Sequence, residues 1–135
     1  MSNLQNTINS INKLYKTKGC TDQQIIEAEQ KLNLKFSKEY GEYLKTYGAV
    51  SFYGTEITGL NVDDYANVIS VTLQEREFDK EFPLDCVVIE NSGIEGLLVL
   101  QNEDGSVYQW IKGKNKKIFN SLNEYIEDRV KNISC

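Results

Sequence analysis

The sequence predicts an α+β fold in which N-terminal helices lead into a mostly antiparallel sheet and a C-terminal helix packs on that sheet. Three observations carry this. Apolar residues recur at helical spacing from Leu4 to Tyr47. After Gly48 the texture changes to short runs rich in β-branched and aromatic residues, punctuated by Gly54, Gly59, Gly93, Gly96, Gly105 and Gly113. Helical spacing returns between Leu122 and Val130. The connections between strand-like runs are too short for repeated crossover helices, so the strands are expected to pair antiparallel.

Each element has its own signal. Leu4, Ile8, Ile11, Leu14 and Tyr15 recur every three or four residues and predict a first amphipathic helix ending near Gly19. Thr21 with Gln24 has the spacing of a capping box and opens a second helix, striped by Ile25, Ala28 and Leu32 and stopped at Asn33. Ser37 can cap a third helix with Tyr40, Tyr43, Leu44 and Tyr47 on one face, and Gly48 suits the left-handed position that ends it. Val50–Tyr53 and Glu56–Leu60 can pair across Gly54. Val68 to Asp79 fits a strand in its first half but a helix over its whole length, and the helix is preferred. Cys86–Glu90 and Leu97–Gln101 read as buried strands, and Asn102-Glu-Asp-Gly105 is hairpin chemistry leading into Val107–Ile111. The lysines at 112, 114, 116 and 117 read as a solvated connection to a last helix, opened by Ser121 and Glu124 with Leu122, Tyr125, Ile126 and Val130 inward.

The chain has 135 residues, enough for a single domain spanning 1–135 that buries roughly two-thirds of its unfolded surface. The polar start carries no secretory leader, and no apolar run reaches the ~18 residues of a membrane span, so a cytoplasmic protein is expected. Cys20, Cys86 and Cys135 are far apart and in no C-x-x-C pattern, which suggests neither a disulfide framework nor a zinc site. There is no histidine, which removes the commonest general base, the histidine-activated nucleophiles and the commonest zinc ligand. No motif supplies another nucleophile or a cofactor cradle. The expectation is therefore a binding protein without cofactor or metal, not an enzyme.

Asp63-Asp64 could in principle ligate a hard cation, but adjacent acids in a loop are more often a solvated turn. The stretch Leu100–Ile111 has EF-hand-like order at its centre, yet leucine and isoleucine occupy its first and twelfth positions, where calcium needs oxygen ligands. The basic run beside Trp110 is too short, in an acidic protein, to argue for direct nucleic-acid binding.

Net charge is −5, but its distribution is uneven. Between Ser51 and Trp110 twelve acids face Arg76 and Lys80, a net charge of −10, while both flanks are mildly basic. Surface acids serve solubility, which alone could account for the excess. The alternative is an electrostatic binding face, because so many like charges repel one another unless a cationic partner covers them.

The segment from Thr21 to Gly48 resembles the opening signature of the SUKH superfamily, in which an acid and a leucine on one helix precede a short apolar step, then Tyr, Leu, Tyr and glycine. Here these are Glu29, Leu32, Leu34, Phe36, Tyr40, Leu44, Tyr47 and Gly48. Ser37 stands where the family usually has proline and preserves the helix start by capping it. The resemblance continues through Asn67–Glu77, Pro83 before Val87–Glu90, Gly105-x-Val-Tyr-x-Trp110, and Phe119 to Ile126. It implies a non-catalytic α+β domain whose relatives are mostly bacterial immunity proteins that bind polymorphic secreted toxins, often nucleases. A fungal cell-wall-synthesis regulator shares the fold. The matching residues are expected to be core or cap, namely Glu29, Leu32, Tyr40, Leu44 and Trp110, because toxin-binding positions vary across the superfamily.

The expected partner is accordingly a basic cognate toxin, with a regulatory adaptor as the alternative, and no membrane contact. Aromatic anchors dominate interface energies, so Tyr53 and Tyr65 beside Asp63 and Asp64 are the first candidate contacts. Glu75, Glu77, Asp79 and Glu81 form the second cluster.

Overall fold

The computed structural model describes residues 3–91, 96–111 and 113–133. Gly93, Lys112 and Cys135 lie outside the described residues. Among the described residues there are five α-helices and two antiparallel sheets, the α+β arrangement expected.

The first helix, α1, spans Asn3–Asn9, much shorter than expected. Leu4 and Ile8 are buried on it, but at its end the Ser10 hydroxyl donates to the Thr7 carbonyl, and Asn9 accepts from the Tyr47 hydroxyl at 2.8 Å. Side-chain bonds of this kind compete with helical backbone bonds. Residues Leu14–Lys16 then form a strand, β1, with Leu14, Tyr15 and Lys16 opposite Phe52, Ser51 and Val50. A three-to-four spacing could not reveal that distant partner.

The next two helices follow the sequence closely. In α2, Asp22–Leu32, both bonds of the Thr21–Gln24 capping box form, and Asn33 ends the helix at φ 54°. The Glu29 carboxylate then accepts from the Phe36 amide at 2.9 Å, which fixes the step into α3, Lys38–Tyr47. There Ser37 caps the Tyr40 amide at 2.9 Å, and Tyr40, Tyr43 and Tyr47 line the buried face. Their hydroxyls are all engaged. Tyr40 and Tyr43 both donate to the Thr58 carbonyl at 3.0 Å, and Tyr43 accepts from the Val50 amide. Burial pushes both phenols well above their ordinary value, so they stay protonated donors.

Gly48 leaves α3 at φ 77°, and its carbonyl accepts from the Leu60 amide at 3.1 Å. A Cβ on Gly59 would sit 1.8 Å from that carbonyl oxygen, so only glycine permits the approach. The hairpin of β2, Val50–Phe52, and β3, Thr55–Ile57, turns at Tyr53–Gly54 with φ 48° and 84°. Positive φ at both central residues matches the twist of paired strands, though tyrosine rarely occupies such a position.

The second sheet is a meander of β4, Cys86–Asn91, β5, Leu97–Asn102, β6, Val107–Ile111, and β7, Lys114–Phe119. Thr58 joins the sheets, its amide donating to Ile89 at 2.8 Å and its hydroxyl to Val88 at 2.6 Å. One face packs Val87, Ile89, Val99 and Val107 into the main core with α1–α3. The other packs Cys86, Val88, Leu98, Leu100 and Trp110 with Val71 of α4, Val68–Phe78, and Phe82. Because both faces are covered, β4 and β5 read as continuous apolar runs. Leu32, Tyr40, Leu44 and Trp110 are buried, as the resemblance implied, whereas Glu29 is neither core nor helix cap but holds the connection at Phe36.

The lysine run is not the solvated connection expected. Lys114, Lys116 and Lys117 lie on β7, the outer strand, where exposed lysines discourage pairing with another sheet edge. The last helix, α5, Leu122–Ile133, is capped by Ser121 on the Glu124 amide at 3.1 Å, as expected. A carboxylate from α3 adds to this cap. Glu39 accepts from the Leu122 and Asn123 amides at 2.7 and 2.9 Å and from the Gln101 amide group at 3.1 Å. Tyr125 of α5 also bonds the buried Glu90 carboxyl of β4, whose pKa burial raises.

Candidate protein-binding surfaces

Two surfaces display what the sequence placed in its acidic middle, and they lie at opposite ends of α4. The first begins where β3 leaves the hairpin. Asn61 donates to the Lys18 carbonyl at 3.0 Å and accepts from Gln24 at 2.9 Å, which holds the chain before a short 3₁₀ turn, Asp64–Ala66. Ala66 faces inward, and Asn67 caps α4 through the Ile69 amide at 2.9 Å. Tyr65, between them, points outward and is 69% exposed. Asp63 and Asp64 flank it in solvent, with Asp64 accepting from the Ser70 hydroxyl at 3.3 Å.

Tyr65 stands over the solvent face of the three-stranded sheet. The inward face of its hairpin buries Val50, Phe52, Thr55 and Ile57. On the outward face Tyr15, Ser51 and Glu56 lie directly opposite one another on successive strands. With Tyr65, Val62 and Lys16 they line a groove of about 150 Å³. Tyr15 is 73% exposed, a costly presentation for a large ring unless something covers it.

The second surface is the C-terminal end of α4 and the loop after it. Arg76 reaches back, donating to the Leu32 carbonyl at 2.8 Å and the Leu84 carbonyl at 3.2 Å. Asp79 accepts from the Glu81 amide at 2.9 Å, an Asx turn that tightens the loop. Phe82 dives under it to meet Trp110 edge-on at 5.8 Å. Phe78 and Leu84 face the other way, 75% and 69% exposed. On the same stretch Glu77 and Glu81 are exposed, the Glu81 carboxylate lying beside Gly113, and Glu75 is half-buried. Burial, and then the neighbouring charge of Asp79, raises the Glu75 carboxyl above its ordinary range.

The candidate residues therefore fall into three places. Asp63, Asp64 and Tyr65 precede α4, while Glu75, Glu77, Asp79 and Glu81 gather at its far end, one helix length or about 16 Å away. Tyr53 sits at the hairpin tip. Asp79 spends one oxygen on the loop's own backbone. Tyr15 and Glu56, which complete the groove, and Phe78 and Leu84, the exposed apolar side chains of the second stretch, were missed by sequence reasoning. The helical spacing puts Tyr15 on the buried stripe of the first helix, but that helix ends at Asn9 and Tyr15 lies on β1. Phe78 did carry a signal, as a lone aromatic ring between Glu77 and Asp79.

Three residues elsewhere prove structural. Asp104 accepts from the Ser106 amide at 2.9 Å, which lowers its pKa and closes the β5–β6 hairpin. Cys20 and Cys86 are buried thiols, and desolvation pushes Cys86 up to about 12, so it stays protonated at neutral pH. Among the described residues no helix is long and apolar enough to cross a membrane.

No curated protein matches the chain. The SUKH_5 family, described as SMI1-KNR4 cell-wall, matches it over residues 1–131. With that span, and with Leu32, Tyr40, Leu44 and Trp110 in the core as the resemblance implied, the chain belongs to the SUKH_5 family.

Proposed function

We propose that this chain is an immunity protein, acting in the cytoplasm, that binds and neutralises a cognate basic toxin of the nuclease kind and catalyses no reaction itself. The observation that carries the reading is the display of the acidic segment. Its acids alternate along the chain with exposed apolar side chains, Asp63 and Asp64 next to Tyr65 and Glu77 next to Phe78, with Glu81 and Leu84 exposed in the loop that follows. An exposed ring among acids, desolvated once a partner covers it, suits an interface centre, and opposite charge speeds encounter. Acids so arranged would stand where a nuclease holds phosphates.

The test is to read the neighbouring genes for a toxin domain and, where one is encoded, to co-express it with this chain and pull down at low and high salt. Capture that weakens with salt and with reversal of Asp63, Asp64, Glu75 and Glu77 is expected. Capture indifferent to both would overturn the electrostatic reading. The family's cell-wall description supports a second reading, a regulatory adaptor for a cellular protein, and a neighbouring gene that encodes no toxin would favour it.

A further inference from the structure

We propose that the groove between Tyr15 and Tyr65 receives a single cationic side chain, arginine in preference to lysine, from a protein partner. The inference deepens the reading above and rests on a partner of basic character.

The shape follows from strand register. Tyr15, Ser51 and Glu56 project from the same sheet face on three adjacent strands. Strands lie about 4.8 Å apart, so Tyr15 and Glu56 are about 10 Å apart at their bases, with only the small Ser51 between them. Large, small and large in one row make a slot, and Tyr65 forms a further wall. A flat group that stacks at about 3.5–4 Å from a ring fits such a width. The volume decides what class of ligand enters. At about 150 Å³ the groove is smaller than the ~300–1,000 Å³ of sites for drug-sized molecules, so it suits one side chain and not a metabolite.

Chemistry selects the charge. Two exposed aromatic faces attract a cation through their quadrupoles, and Glu56, exposed at the slot's edge, supplies the opposite charge. Asp63 and Asp64 flank Tyr65 and add to the negative field. Against them stands Lys16, which also lines the groove but is exposed, with a flexible stem that can swing its ammonium into water. Arginine is favoured because its planar guanidinium stacks on a ring while its edge pairs with a carboxylate, and it is less strongly hydrated than ammonium.

The experiment uses the full chain and two small probes, N-acetyl-arginine amide and its uncharged isostere N-acetyl-citrulline amide, titrated in low salt and followed by amide NMR shifts. The arginine probe should give saturable shifts centred on residues 15, 51, 56 and 65, while citrulline gives none. Tyr65→Phe should bind like the parent. Tyr65→Ala, Tyr15→Ala and Glu56→Gln should each weaken binding by about two- to fivefold, and Lys16→Ala should strengthen it by about twofold. Equal shifts from both probes, no saturable shift from arginine, or shifts centred elsewhere would overturn the proposal. Failure here with successful toxin capture would leave the proposed function standing. Probe binding without toxin capture would do the reverse.

Discussion

Tyrosine serves two opposite ends in this molecule. On α3, Tyr40, Tyr43 and Tyr47 are at most 1% exposed, recur at helical spacing, and have each hydroxyl engaged. At the small sheet, Tyr15, Tyr53 and Tyr65 sit on a strand, a turn and a 3₁₀ helix, with their rings 73%, 43% and 69% exposed. The same side chain is a scaffold beam in one region and an offered surface in the other. What separates them is whether a distant segment meets the hydroxyl with a partner, as Thr58 does for Tyr40 and Tyr43 and Asn9 does for Tyr47.

The contrast can be broken most sharply at its centre. Tyr40→Ala should cost about 3–5 kcal/mol in urea denaturation, because it empties a fully buried site, whereas Tyr65→Ala should stay within about 0.5 kcal/mol. Comparable losses from the two would show that the exposed ring is a structural part. Gly59→Ala should be next, at about 1–3 kcal/mol, since the Gly48 carbonyl must retreat from the new Cβ. A subtler test keeps the ring and removes only the hydroxyl. Tyr43→Phe leaves the buried Val50 amide without its acceptor and should cost about 1–3 kcal/mol, while Tyr65→Phe should change nothing measurable.

The smallest effect concerns pH and the second surface. Glu75 has a folded-state pKa raised above its ordinary value of 4.5, so its charged form is disfavoured in the fold. Its contribution is fully present below that value and is lost as pH rises through the folded-state pKa. Glu75→Gln should therefore flatten the fall in stability with rising pH above about 4.5, as read by melts across that range. A partner's cation bound beside it should lower the same pKa.

What the sequence disclosed follows the same division. Capping residues act within three or four positions, so Thr21, Ser37 and Ser121 marked their helices correctly. The stripe of α3 was legible because a buried helical face repeats. β1 was not, since Leu14 continues a helical spacing while its strand partner Phe52 is far along the chain. β7 was hidden because an edge strand dressed with lysine shows no alternation. Exposure of Tyr15 and Phe78 depends on what does not pack against them, which no local pattern encodes. The acids were visible as a charge excess, but their division across the two ends of α4 needed the fold.

The Glu39 carboxylate, which reaches from α3 to the first amides of α5, also bears on how the chain comes to fold. Its bonds to Leu122 and Asn123 span 83 and 84 positions. Closing a loop of that length costs about 4 kcal/mol of chain entropy before any bond rewards it. Contacts of such long sequence separation slow folding. Until the ribosome has released the segment around Asn123, α5 lacks that cap and Glu39 lacks two of its donors. The N-terminal helices can gather as they emerge, but the cap that Glu39 supplies has to wait for the closing helix.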